Sequence, residues 1–258
     1  MTFTIEYFEF ILLVLIRLTS YVMAAPFLSY ASIPIRVKLV ISVVLAVIVV
    51  NILEPVQLEY SGIVGLSTLI VKEACVGVAL GFVSNICLYI LNFAGQLMDM
   101  EIGLSMTSLF DPQTRIQGTI SGTFYLYSVM LLMLVSHTHY FIIRAIIDSF
   151  QLFNIGEAVF SRGLAEVLTD FFPQYFLIAF RILLPIFGCM LMINVVLGVL
   201  ARAAPQMNMF VVGMQLKVIV GVFILFIIVE TMPGVAGFIF DEMQTITRQI
   251  MDVFTPSQ

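Results

Sequence analysis

Charge is what this sequence has least of. Only 10% of its 258 residues are Asp, Glu, Lys or Arg, against roughly 25% in a soluble globular domain, and 61% are hydrophobic. The eleven Lys and Arg are scattered singly. With no basic cluster to neutralise a phosphate backbone, nucleic-acid binding is excluded. Histidine is almost absent: His137 and His139, two apart, point to opposite faces of a helix and do not form a ligand pair. Cys75, Cys87 and Cys189 are odd in number, lie in apolar segments and lack a Cys-x-x-Cys spacing, so neither a disulfide framework nor a zinc site is expected. They read as buried helix residues. There is no His-Glu-x-x-His, no Gly-x-Ser-x-Gly and no Gly-rich phosphate loop, so no enzymatic activity and no cofactor are expected. The first twenty residues carry Glu6, Glu9 and Arg17 and no basic leader, which speaks against a cleavable signal peptide.

What is there is apolar length. Mean hydropathy is +1.13, and a transmembrane helix needs roughly 20 mostly apolar residues. Six windows approach that: 8–28, ending at Pro26; 37–53, stopped by Glu54-Pro55; 74–98, without a charge; 120–136; 175–201; and 209–229. Continuous runs exclude a β-barrel, whose strands alternate every second residue. Residues 144–171 and 239–254 intersperse charge with apolar residues and read as amphipathic helices. Arg36 and Lys38 after the first window, with Glu54 and Glu59 after the second, favour an external N-terminus.

Charges inside apolar windows need a partner or a function. Arg17 and Arg181 have no acid within one turn, so they pair across helices or with another chain, or snorkel to an interface. Asp99 and Glu101 are two apart and face different ways, which speaks against a paired-carboxylate acid–base site. GVALG at 77–81 and GTISG at 118–122 have the spacing for close helix approach. Methionines gather at 98, 100 and 106 and again at 207, 209 and 214, in both cases at helix breaks. Such residues suit either plain packing or a compliant seal.

Several of these residues together resemble one family. Arg17 precedes Pro26-Phe27; Ile33-Pro34 is followed by Arg36; Gly95-Gln96 by Asp99 and Gly103; then come Asp111-Pro112 and Pro185. Most specific is the block from Arg202 to Lys217, with Pro205, Gln206, Met207, Asn208, Phe210 and Gly213. The pattern is similar to that of the FliR family of flagellar and type III export proteins, in order and over essentially the whole chain. One departure stands out. The family usually has Gly-x-Pro-x-Lys where this chain reads Gly213-Met214-Gln215-Leu216-Lys217, which restores an N–H and frees a φ at the start of a helix.

The resemblance implies an all-α, membrane-associated stack of helical hairpins. Residues 1–174 would be a FliP-like part and 175–258 a FliQ-like hairpin with a C-terminal amphipathic helix. It implies a non-enzymatic subunit of the export gate in the bacterial inner membrane, at the flagellar basal body, with FliP, FliQ and FlhB as partners and unfolded export substrates in transit. The family's assembled helices sit largely above the membrane plane, so the six-window topology gives way to it. A plug loop near 106–122, with Met106, Leu109, Phe110, Asp111 and Pro112 as its residues, would fill the pore. Arg17, Pro26, Pro34, Arg36, Gln96, Asp99, Gly103, Arg181, Arg202, Pro205, Gln206, Asn208, Phe210, Gly213 and Lys217 would serve assembly. Arg17 and Arg181 are expected to meet other chains. The alternative function, a small-solute or ion transporter, rests on the same intramembrane charges but lacks the inverted repeat such proteins show.

Overall fold

A computed structural model describes residues 5–30, 32–54, 60, 62–105, 119–206 and 208–255. Helices are the regular structure among them, joined by turns and irregular connections, with no strand. The helices are α1 (Ile5–Ala24), α2 (Ile35–Ile52), α3 (Gly62–Ile102), α4 (Ile120–Val135), α5 (His139–Leu152), α6 (Gly163–Ala203), α7 (Met209–Ile228) and α8 (Met232–Phe254), with a 3-10 turn at Val229–Thr231. Among the described residues, five helical stretches are long and apolar enough to cross a membrane: Ile5–Ala24, Ile35–Ile52, Gly62–Ile102, Gly163–Ala203 and Val211–Phe254.

Prolines set several of the boundaries. Pro26 disfavours helical geometry at Ala25, so α1 stops at Ala24 rather than running to 28, and Phe27 takes a positive φ of 62°. Pro34 opens α2, and Leu53 closes it in an extended conformation just before Glu54-Pro55. Pro233 falls in the first turn of α8, where no intrahelical N–H is required, so that helix begins at Met232 and not at 239. Within α6, by contrast, Pro173 and Pro185 do not end the helix, and the two segments expected on either side of residue 172 are one element of 41 residues. A proline costs the bond to residue i−4, and the apolar turns on both sides carry the helix through. Likewise α3 runs 41 residues, well beyond the expected 74–98, because Glu73 does not terminate it.

The chain divides into two compact units. One comprises Met1–Cys87, Ser136–Phe171 and Phe240–Gln258; the other comprises Leu88–Val135 and Phe172–Ile239. In the first, Phe10, Leu13, Leu18, Tyr21, Phe153 and Phe254 are fully buried. Helix α2 hides only a narrow stripe of Lys38, Ser42, Ala46 and Val49, while Val40, Val43, Val44, Val47 and Ile48 face outward. That is the reverse of a soluble helix, and its outer face needs lipid or protein against it. The Lys38 ammonium donates a hydrogen bond to the Ser29 carbonyl at 2.9 Å. The Tyr60 hydroxyl donates to Glu9 at 2.7 Å, a bond that holds the half-buried phenol above its ordinary pKa.

The GVALG spacing is used. Gly77 and Gly81 both lie against α1, and a Cβ on Gly81 would sit 2.8 Å from the Tyr21 carbonyl oxygen and 2.9 Å from the Ala25 nitrogen. Backbone atoms cannot move aside as a side-chain tip can. Gly81→Ala is therefore expected to destabilise the first unit by about 1–3 kcal/mol. Gly188→Ala, in α6 where a Cβ meets nothing within 4 Å, is expected to be neutral or mildly stabilising through helix propensity. Thermal melts in detergent, read by a thiol-reactive dye at the fully buried Cys87 in a Cys75/Cys189→Ser background, compare the two. Only Cys87 is in fact buried. Cys75 and Cys189 are exposed on their helices, correcting the expectation that all three are interior.

Candidate functional site

The break between α3 and α4 is built on one carboxylate. Asp99, in the last turn of α3 and 4% exposed, accepts the backbone N–H of Ile120 at 2.6 Å and of Ser121 at 3.1 Å. These are two of the N–H groups that a helix start leaves without intrahelical partners, and a negative charge there also complements the helix dipole. The Asp99 carbonyl takes the Gly103 N–H at 3.0 Å and the Ser105 N–H at 3.2 Å, with Gly103 at φ 93°. A single residue thus holds both ends of the connection. Just below it, α3 and α4 touch through Gly95 and Gly122, where a Cβ on Gly95 would collide with the Gly122 backbone. The helix resumes at Ile120, so the last three residues of the expected 106–122 loop are the first turn of α4. Met106, Leu109, Phe110, Asp111 and Pro112 lie outside the described residues. Gln96 and Met100 are exposed, Glu101 is half-buried and Met98 is buried.

Arg17 does not snorkel, and its partner is in the same chain. Its guanidinium is fully buried and forms a two-pronged ion pair with Glu73 of α3: Nε donates to Oε2, and an NH2 donates to Oε1 at 3.1 Å. The remaining nitrogen lies 3.4 Å from both the carbonyl and the hydroxyl of Ser149 in α5. Glu73 also accepts the Gly156 N–H at 2.8 Å. Two aromatic faces, Phe150 and Phe153, lie 4.2 and 4.8 Å from the guanidinium carbon, a cation–π arrangement that favours the charge where water is excluded. The expectation that Arg17 meets another chain is corrected accordingly. Glu73 was the residue missed. Its signal was the pairing rule itself, since a buried arginine requires an acid and Glu73 stands at the edge of the charge-free run.

The other residues expected from the sequence fall in separate places. Pro26 is buried in the turn after α1, where the Leu28 N–H donates to its carbonyl at 2.7 Å; Pro34 and Arg36 are exposed at the start of α2. Arg181 is exposed on α6, its guanidinium carbon 5.5 Å from the Phe238 ring centre. At the α6–α7 turn, Arg202, Pro205 and Gln206 are exposed, and Asn208 opens α7 without a side-chain cap. Phe210 lies in the first turn of α7. Gly213 allows the close approach of Leu197, and Lys217 is half-buried on α7. Among the described residues, no three His, Cys, Asp or Glu side chains gather as a metal site.

Residues 8–243 match the family model of bacterial export proteins, family 1. Similar proteins include the flagellar biosynthetic protein FliR of Bacillus subtilis (strain 168), 31% identical over 228 residues that make up 87% of each chain. The protein of the same name from Escherichia coli (strain K12) is 27% identical over 240 residues, 92% of this chain and 90% of that one. That of Aquifex aeolicus (strain VF5) is 27% identical over 85% of each chain.

Proposed function

The chain belongs to family 1 of the bacterial export proteins, and from that membership we propose that it is a non-enzymatic core subunit of the flagellar export gate, helping to form and to plug the pore through which unfolded flagellar proteins leave. It is a membrane protein, with apolar helical stretches of spanning length. The inner membrane and the flagellar basal body are its proposed location. FliP, FliQ and FlhB are its proposed partners. Residues 1–174 are proposed as the FliP-like part and 175–258 as the FliQ-like hairpin with its C-terminal amphipathic helix. The two compact units interleave along the chain, so that division describes likeness of segments.

The observation that carries the plug reading is the double hold of Asp99 on the ends of the 103–119 connection. Ends of a connection held together at one fixed point are what the anchor of a pore plug requires. In sequence that segment holds the apolar Met106, Leu109 and Phe110 and then Asp111-Pro112, whose proline is unsuited to continuing a helix.

Deleting residues 107–117 leaves Asp99, Gly103 and Thr119 in place. Complexes carrying the deletion are expected to assemble at wild-type yield and to leak small solutes from cells or liposomes. Assembled deletion complexes that stay as tight as wild type would sink the plug assignment.

A further inference from the structure

The last turn of α3 is gripped from two sides within the second compact unit. On one side Asp99 accepts hydrogen bonds from the start of α4. On another, Ile102, the residue that ends α3, is fully buried against Gly221 of α7. Gly221, Ile224 and Ile228 are spaced i, i+3, i+7 and form the buried face of the second half of that helix. Together with Met190 of α6, itself fully buried, Gly221 leaves a notch in the α6–α7 pair that the Ile102 side chain fills.

A single methyl group would close the notch. A Cβ on Gly221 would sit 2.5 Å from Cγ2 and 2.8 Å from Cγ1 of Ile102, and 3.1 Å from Cε of Met190. The two neighbours differ in what they can give. Met190 presents the far end of an unbranched chain with rotatable bonds, which can swing aside. Ile102 is β-branched, so both of its Cγ atoms are fixed to Cβ and one χ1 rotamer is strongly preferred in a helix. Relief therefore has to come from moving the backbone of α3 at Ile102 or α7 itself. Ile102 is three residues from Asp99 and directly precedes Gly103, whose N–H returns to the Asp99 carbonyl. A shift there reaches the hold on the connection directly.

We propose that Gly221 is a positioning residue for the 103–119 connection. By keeping one site on α7 free of a side chain it seats Ile102, and so fixes Asp99 where it holds both ends. Hydrogen bonding alone would not place the base relative to α7, because the start of α4 moves with Asp99. The consequence for closure rests on the plug reading, whereas the seat itself does not.

Amide exchange by mass spectrometry, on the full chain in assembled export complexes, tests the seat through a reversal of sign. Gly221→Ala is expected to quicken exchange at Gly103, Ser105, Ile120 and Ser121 by about fivefold or more, as overpacking does, while amides around Arg17 keep their rates. Ile102→Ala opens a void and quickens the same four amides for that reason. Adding Gly221→Ala in the Ile102→Ala background is expected to slow them by about twofold or more, because the new methyl enters vacated space. The gain in helix propensity from glycine to alanine is common to both backgrounds and cannot reverse the sign. Gly213→Ala, eight residues earlier in α7, meets only the tip of Leu197 at 3.3 Å and is expected to leave the four amides unchanged. If Gly221→Ala complexes do not assemble, the same reversal is read from yield, which Ile102→Ala is expected to restore. A Gly221→Ala effect of one sign in both backgrounds, no effect at the four amides, or a lost yield that Ile102→Ala does not restore overturns the proposal and leaves the plug reading standing. Reversal of sign together with 107–117 deletion complexes that stay tight upholds the seat and overturns the plug reading.

Discussion

Glu73→Ala will cost the isolated chain about 3–5 kcal/mol, the usual penalty for leaving one member of a buried ion pair uncompensated. Arg17 is completely enclosed, so no snorkelling route is open to it. Its two bonds to Glu73 would be replaced by nothing, and the Gly156 N–H would lose its acceptor as well. Arg17→Ala should be nearly as damaging, because it strands the Glu73 carboxylate. The double variant Arg17→Met/Glu73→Leu is expected to recover most of the loss. Apolar replacements of similar volume remove both charges, the attraction and the two desolvation penalties together. A double-mutant cycle in detergent, read through exposure of Cys87, measures the coupling. Coupling near zero, with two mild single variants, would mean that water reaches the pair.

That pair also explains which parts of the fold the sequence disclosed. The interior of α3 was legible because nothing between Ala74 and Met98 is charged. Its first twelve residues were not, since Lys72-Glu73 looks like the end of an apolar run. The charge that cancels Glu73 is 56 positions away, and only tertiary contact brings it near. The same holds for α6, whose Pro173 punctuates the sequence yet does not break the helix. Glycine spacing was a weak signal in a chain with 16 glycines. It became informative only when Gly81 met the α1 backbone and Gly95 met Gly122. At the candidate site, the two-residue offset of Asp99 and Glu101 correctly gave them different surroundings, one buried and one half-exposed. What Asp99 does there depends on the start of α4, twenty-one residues on, and no local pattern announces it.

Asp99→Ala is accordingly the second large effect expected, and it separates the hold on the connection from the connection itself. Losing an acidic N-cap acceptor costs about 0.5–2 kcal/mol in exposed helices. Here Ser121 is buried although Ile120 is 56% exposed, so about 2 kcal/mol is expected, in line with hydrogen bonds to charged groups. The loss should be local. Amide exchange at residues 120–123 should quicken by roughly thirtyfold, since about 1.4 kcal/mol is a factor of ten, while amides around Arg17 in the first unit keep their rates. Asp99→Asn retains one acceptor oxygen and should fall between wild type and alanine. Gln96→Ala, at an exposed position, should change stability by less than about 0.5 kcal/mol. If the connection plugs the pore, Asp99→Ala complexes should leak although every residue of 106–118 is present. That outcome ties closure to how the segment is held at its base. Leak in the deletion but not in Asp99→Ala would place closure in the segment's bulk alone, and unchanged exchange at 120–123 would refute the cap.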